Sequence, residues 1–289
     1  MDNEKYNDLK LGERGAIISI IAYICLSILK LAIAYMSDSA ALKADGLNNT
    51  TDIVASIAIL IGLRISQRPP DKDHRYGHWK SETIASMIAS FIMLAVGIQV
   101  LNDAVSSMFQ GGKETPNILA AYVGVFSAIV MYFVYRYNKK LANQINSKAV
   151  MAAAKDNISD AWVSIGTAVG IFGSQLNMPW LDTLTAIIVG LLICKTAWDI
   201  FKEASHELSD GFDANKIEIY RHVISNIDGI KGIKEIRGRN YGSNEVIDVV
   251  ILVNSTLGIK EAHDIATHVE KVMMKDYGVY DVQVHVEPH

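Results

Sequence analysis

The sequence predicts a membrane domain of six transmembrane helices, residues 1–209, followed by a ferredoxin-like (metallochaperone-like) α+β domain, residues 210–289. Three observations predict it. Long apolar stretches recur through the first two hundred residues, several without a single charge. Two further stretches of the same length are apolar but carry carboxylates. After residue 209 the apolar spacing changes to that of short helices and strands.

Residues 83–101 (TIASMIASFIMLAVGIQVL) carry no charge and are long enough to cross hydrocarbon at ~1.5 Å per residue. Residues 117–135 form a second stretch of comparable length. Residues 17–35 carry only Lys30, and residues 183–198 only Lys195. The two impure stretches are 40–65, around Asp45, Asn48, Asn49 and Asp52, and 149–172, around Lys155, Asp156 and Asp160. The expected spans are thus residues 14–36, 40–66, 81–109, 117–139, 147–173 and 179–203.

An even number of spans puts both termini on one side, and the basic residues say which. Arg64, Arg68, Lys72, Arg75 and Lys80 lie between spans two and three, and Lys139 and Lys140 between four and five. The opposite connections contain only Lys113, with Gly111, Gly112, Pro116 and Pro179 as turn residues. Both termini are therefore expected in the cytoplasm of a multi-pass protein of the cell (plasma or inner) membrane. Beyond residue 209, residues 213–227 read as a helix N-capped by Asp213. Strands follow at 231–240 and 245–253, a helix at 261–276 and a strand at 279–286. The order α-β-β-α-β suits a sheet covered by helices on one face.

The net charge of −4 argues against nucleic acid as a partner, which needs clustered Lys and Arg. Cys25 and Cys194 sit inside apolar segments and are expected as free thiols. No G-x-S-x-G or P-loop is present, and His206-Glu207-Leu208-Ser209-Asp210 lacks the second histidine of a zinc-protease motif. An enzyme is not expected.

The chemistry lies in the carboxylates. Asp45 and Asn49 are four residues apart and share a helix face; Asp156 and Asp160 repeat the spacing on the fifth span. A carboxylate at bilayer depth costs roughly 2.5–3.5 kcal/mol by insertion measurements, so two such helices need a compensating charge. A divalent cation held by four oxygen ligands, Asp45, Asn49, Asp156 and Asp160, supplies it; interhelical hydrogen bonding is the alternative. Asn48 and Asp52 are read as supporting residues. Asp71, His74 and His78 have a spacing that could hold an ion in the loop after span two. His285 and Glu287, two apart on the last strand, project to one side.

Residues 44–52 (ADGLNNTTD), 156–160 (DNISD) and 71–82 (DKDHRYGHWKSE), together with the six-span architecture, resemble the cation diffusion facilitator family over nearly the whole chain. The resemblance implies a homodimer that exports divalent metal in exchange for protons, with one transport site per protomer. Zinc-transporting members commonly have His where this chain has Asp156, and an acid where it has Asn49. An all-oxygen site suits Mn²⁺, Mg²⁺, Ca²⁺ or Fe²⁺ better than Zn²⁺ and resembles the manganese-exporting branch. No cofactor beyond the transported metal is implied. The resemblance also implies a loop site at Asp71, His74 and His78 and a cytoplasmic site using His263, His285 and Glu287. Two further ligand positions of that cytoplasmic site fall on Lys234 and Val250, and a Lys80–Asp210 pair joins membrane and cytoplasmic parts. Export of Fe²⁺, Co²⁺ or Zn²⁺ is the nearest alternative; a channel or metal sensor without proton coupling is another class.

Overall fold

A computed structural model of the chain describes residues 2–66, 68–109, 115–144, 148–176, 178–242 and 244–289. Gly111, Gly112 and Lys113, the expected outer turn, lie outside the described residues. Eight helices and three strands follow in the order α1 (Asp2–Ser37), α2 (Ala40–Ser66), α3 (Ser81–Phe109), α4 (Leu119–Gln144), α5 (Lys148–Ser174), α6 (Trp180–Leu208), α7 (Ala214–Ser225), β1 (Ile230–Tyr241), β2 (Asn244–Val253), α8 (Ile259–Asp276) and β3 (Asp281–Pro288). They divide into two compact units, Met1–Ile57 with Ala89–Asp199, and Ala58–Ile88 with Ile200–His289. The sequence boundary at 209 marks a change of composition. The compact units divide elsewhere, because the α2–α3 loop packs with the C-terminal residues.

Among the described residues, four helical segments are long and apolar enough to cross a membrane: Arg14–Ser37, Ser81–Ser107, Leu119–Gln144 and Trp180–Leu208. α2 and α5 match them in length, at 27 residues each. Ile17, Ile21, Ile24 and Ile28 of α1 are exposed, which in water would be an unfavourable apolar stripe and in lipid is the natural outer surface.

In the first unit the helices approach through small residues. A Cβ on Gly124 of α4 would stand 3.1 Å from that of Ala168 on α5. Close backbones let dispersion forces hold helices that gain nothing from excluding water within lipid. The α1–α2 turn is fixed by charge. Asp38 takes a positive φ of 55°, and Ser39 Oγ accepts from the Leu42 N–H at 3.1 Å. Asp182 of α6 then accepts from Ser39 Oγ (2.6 Å) and from the N–H groups of Ala40 (2.8 Å) and Ala41 (3.3 Å). A carboxylate on the first N–H groups of a helix satisfies donors that have no intrahelical partner.

The second unit holds a three-stranded sheet in the order β1-β2-β3, with β1 antiparallel and β3 parallel to β2. Asp213 caps α7 through the Asn215 N–H at 2.8 Å, and Glu261 caps α8 through the Gly258 N–H at 3.0 Å. Ile247, Val249 and Ile251 of β2 alternate toward the helices and pack with Ile224, Val269 and Met273. All elements expected for the α+β domain are present, each within a few residues of its expected bounds. At the β1–β2 turn Gly242 has φ +58° and lies against the Trp79 carbonyl, where a Cβ would sit at 2.8 Å. Trp79 stacks edge-on to Tyr280 at 4.4 Å, and Lys80 bonds Asp210 at 2.8 Å, the pair that the resemblance implied.

Candidate transport site

The carboxylates of α2 and α5 are brought to the middle of the first unit, and α1 meets them there. Lys30 of α1 is fully buried. Its Nζ donates to Asp45 Oδ1 (2.9 Å), Asn49 Oδ1 (2.7 Å) and Ser164 Oγ (2.9 Å), so all three ammonium protons are used. Asp45 and Asn49, two of the four expected ligands, thus accept from a lysine in this structure. The physical reason is that a buried ammonium needs a carboxylate as urgently as a buried carboxylate needs a cation.

The other i, i+4 pair of α2 faces Asp160. Asn48 Nδ2 donates to Asp160 Oδ1 at 3.2 Å and to Asp52 Oδ2 at 3.4 Å. An electropositive NH₂ therefore stands between two carboxylates contributed by two helices. Asp156, one turn from Asp160, is exposed, and its charge is within electrostatic reach of both Asp52 and Asp160.

Asp160 is fixed from α1 as well. Tyr23 Oη donates to Asp160 Oδ2 at 2.7 Å, and Asn157 Nδ2 donates to Tyr23 Oη at 3.0 Å. Ser19 Oγ donates to Asn157 Oδ1 (3.2 Å), and Asn138 of α4 donates to both (2.8 Å each). This buried chain of side chains across α1, α4 and α5 was missed by sequence reasoning. Each member is a lone polar residue in an apolar helix, and that was the available signal.

In the second unit, Asp71, His74 and His78 do converge. Among the described residues they are the only three His, Cys, Asp or Glu side chains whose ligand atoms all lie within 4.8 Å of one another. Asp71 Oδ1 accepts the N–H groups of His74 (2.7 Å) and Asp73 (2.9 Å), while Oδ2 lies 3.4 Å from His78 Nε2. The His74 backbone N–H, more than any other group, holds the Asp71 carboxyl below its ordinary value, so it is ionised throughout the neutral range. Imidazole binds metal only when neutral, so Mn²⁺ or Zn²⁺ affinity of this loop is expected to fall on acidification while Asp71 stays charged. Titrating the purified protein with Zn²⁺ at several pH values checks this; His74→Ala should lower the affinity at least about tenfold.

His285 Nε2 and Glu287 Oε1 lie 3.8 Å apart. His285 and Glu287 project from β3 away from the α8-covered face, whose β3 residues are Val282, Val284 and Val286, whereas His263 lies exposed on α8. Lys234 Nζ takes both Glu287 oxygens, at 2.9 and 2.6 Å. Cys25 and Cys194 are free thiols.

Residues 16–209 match the cation efflux transmembrane domain, and residues 196–289 match the cytoplasmic domain of cation efflux proteins. The chain belongs to the cation efflux family. It is 54% identical over 285 residues to the manganese efflux system protein MneS of Bacillus subtilis (strain 168), covering 99% of this chain and 98% of that protein. It is 51% identical to the uncharacterized transporter YdbO of the same strain, with 99% and 98% covered. It is 32% identical to the manganese efflux system protein MneP of that strain, with 97% of each covered. The chain is therefore a divalent metal cation efflux transporter of the cation diffusion facilitator family, on its manganese-exporting branch. Its family and its apolar helices place it in a membrane.

Proposed function

We propose that this protein exports Mn²⁺ from the cytoplasm in exchange for protons, with Asn48, Asp52, Asp156 and Asp160 as the ligands of the transport site. The observation that carries this reading is the Asn48 amide donating to Asp52 and Asp160 from between them. Rotation of that amide would present its oxygen in place of its NH₂, giving a cation one carbonyl and the two carboxylates, with Asp156 completing four oxygen donors. Such a set suits Mn²⁺, and the relatives called manganese efflux proteins support the choice.

Six spans, both termini in the cytoplasm and a homodimer complete the reading. The excess of basic residues in the α2–α3 loop supports the orientation, and the matched cytoplasmic domain supports a dimer. Three carboxylates in a poorly hydrated site cannot all stay ionised without a cation, so a proton and a metal ion compete for them. The test is ⁵⁴Mn²⁺ flux in proteoliposomes with voltage clamped. Flux that follows an imposed proton gradient supports antiport. Flux indifferent to it means a uniporter or channel.

Selectivity follows from the donor set. Asp156→His introduces an imidazole and is expected to shift transport from Mn²⁺ toward Zn²⁺, since nitrogen ligands favour the later metal. Competition of Zn²⁺ against ⁵⁴Mn²⁺ in the same vesicles measures it. An unchanged ion ranking would place selectivity outside this residue.

A further inference from the structure

Every donor of the proposed site is an oxygen, and donor type alone does not tell Mn²⁺ from Ca²⁺ or Mg²⁺. What separates these ions is how many oxygens surround them and how the carboxylates present them. Ca²⁺ takes roughly 6–8 oxygen ligands and accepts a carboxylate through both oxygens, whereas Mg²⁺ demands a near-octahedral set. The way a carboxylate is held therefore bears on selectivity.

The two oxygens of Asp160 are divided between helices. Oδ1 faces α2 and accepts from Asn48 Nδ2 at 3.2 Å. Oδ2 faces α1 and accepts from Tyr23 Oη at 2.7 Å. The phenol is buried and packs with Leu26, Met131 and Ala161. Its direction is fixed as well. Asn157 Nδ2 donates to Tyr23 Oη at 3.0 Å, which leaves the hydroxyl proton for Asp160. Asn157 is oriented in turn, because its Oδ1 accepts from Ser19 Oγ and from Asn138 Nδ2. With its oxygen held by two donors, the amide keeps its NH₂ on Tyr23.

We infer that Tyr23 is a specificity-determining residue for transport: by holding Oδ2 of Asp160, its hydroxyl leaves a metal ion one oxygen of that carboxylate and so disfavours Ca²⁺. The inference rests on the site proposed above through Asp160 alone. A hydrogen bond from a hydroxyl to a carboxylate is charge-assisted, and in a buried setting an ion that needs both oxygens must break it with no water to replace it. An ion served by one oxygen leaves the bond in place. Tyr23 acts by positioning Asp160 and is not itself a ligand.

The experiment lets Ca²⁺ and Mg²⁺ compete against ⁵⁴Mn²⁺ flux in proteoliposomes holding the full-length protein. Tyr23→Phe keeps the ring and removes the hydroxyl. It is expected to strengthen inhibition by Ca²⁺, relative to the KM for Mn²⁺, on the order of tenfold, the worth of one hydrogen bond to a charged group. Inhibition by Mg²⁺, relative to the same KM, should hardly move, because an octahedral ion gains nothing from a second oxygen of one carboxylate. A merely structural tyrosine would change all three ions together or none. Unchanged Ca²⁺ inhibition, or equal changes for Ca²⁺ and Mg²⁺, overturns the inference.

If Tyr23→Phe does not fold, Asn157→Ala asks the same question with the hydroxyl present but free to turn. It should shift the Ca²⁺ ratio in the same direction by a smaller factor, and no shift overturns the inference. Asp160→Ala separates this inference from the site itself. If that variant transports Mn²⁺ like the parent, the assigned ligand falls and the inference with it. If it transports none while Tyr23→Phe leaves the Ca²⁺ ratio unmoved, only the role of Tyr23 falls.

Discussion

Asp160→Ala will abolish manganese export while leaving the protein folded. Three elements converge on Asp160: Tyr23 from α1, Asn48 from α2 and its own helix α5. Loss of an outer-shell partner of a metal ligand typically costs roughly 10–100-fold, and loss of the ligand itself should exceed that. Asp52→Ala is expected to behave alike. Neither change leaves a buried cation without its partner, because Lys30 keeps Asp45, Asn49 and Ser164. The readout is ⁵⁴Mn²⁺ flux set beside a thermal unfolding curve. A folded Asp160→Ala protein that exports manganese at the normal rate would remove Asp160 from the site.

Asp45→Ala will fail differently, by loss of stability. It strips the carboxylate from an ammonium that is buried on all sides. Breaking a buried pair by removing one partner costs about 3–5 kcal/mol, a large part of the stability of an ordinary domain. The expected observations are a lowered unfolding temperature and poor recovery of folded protein, whether or not metal is present. Lys30→Met in the same chain should restore much of that loss, because a neutral, well-packed pair leaves no charge in hydrocarbon. Asp45→Ala with wild-type stability would mean that Lys30 finds its neutralisation elsewhere.

These two variants also mark where the sequence was legible and where it was not. The α+β domain could be read residue by residue, because alternation in β2 and helical spacing in α8 each report one buried face. Four of the expected spans were legible from apolar length, and the loop trio Asp71, His74 and His78 from local spacing in a short loop. The transport site was legible only in part. α2 carries two i, i+4 pairs, Asp45 with Asn49 and Asn48 with Asp52, offset by three residues. At about 100° per residue their faces differ by only about 60°, so spacing alone could not say which pair meets α5.

What decides between them is Lys30 on a different helix. A buried lysine must find a carboxylate, and once Asp45 is given to it, Asp52 is left for Asp160. Pairing the charges across all spans, before assigning ligands within one, would have recovered this. The cytoplasmic trio is a related case. Residue type and spacing suggested a site, but side of the sheet is a tertiary property, and Lys234 claimed Glu287.

The central claim concerns which pair on α2 faces the ion, and locating Mn²⁺ itself tests it most directly. An anomalous-difference map of Mn²⁺-soaked crystals of the full-length protein, collected at the manganese edge, would place the ion. The account predicts a peak within coordination distance of Asn48, Asp52, Asp156 and Asp160, with Lys30 still against Asp45. A peak between Asp45 and Asn49, with the Lys30 ammonium displaced, would contradict it.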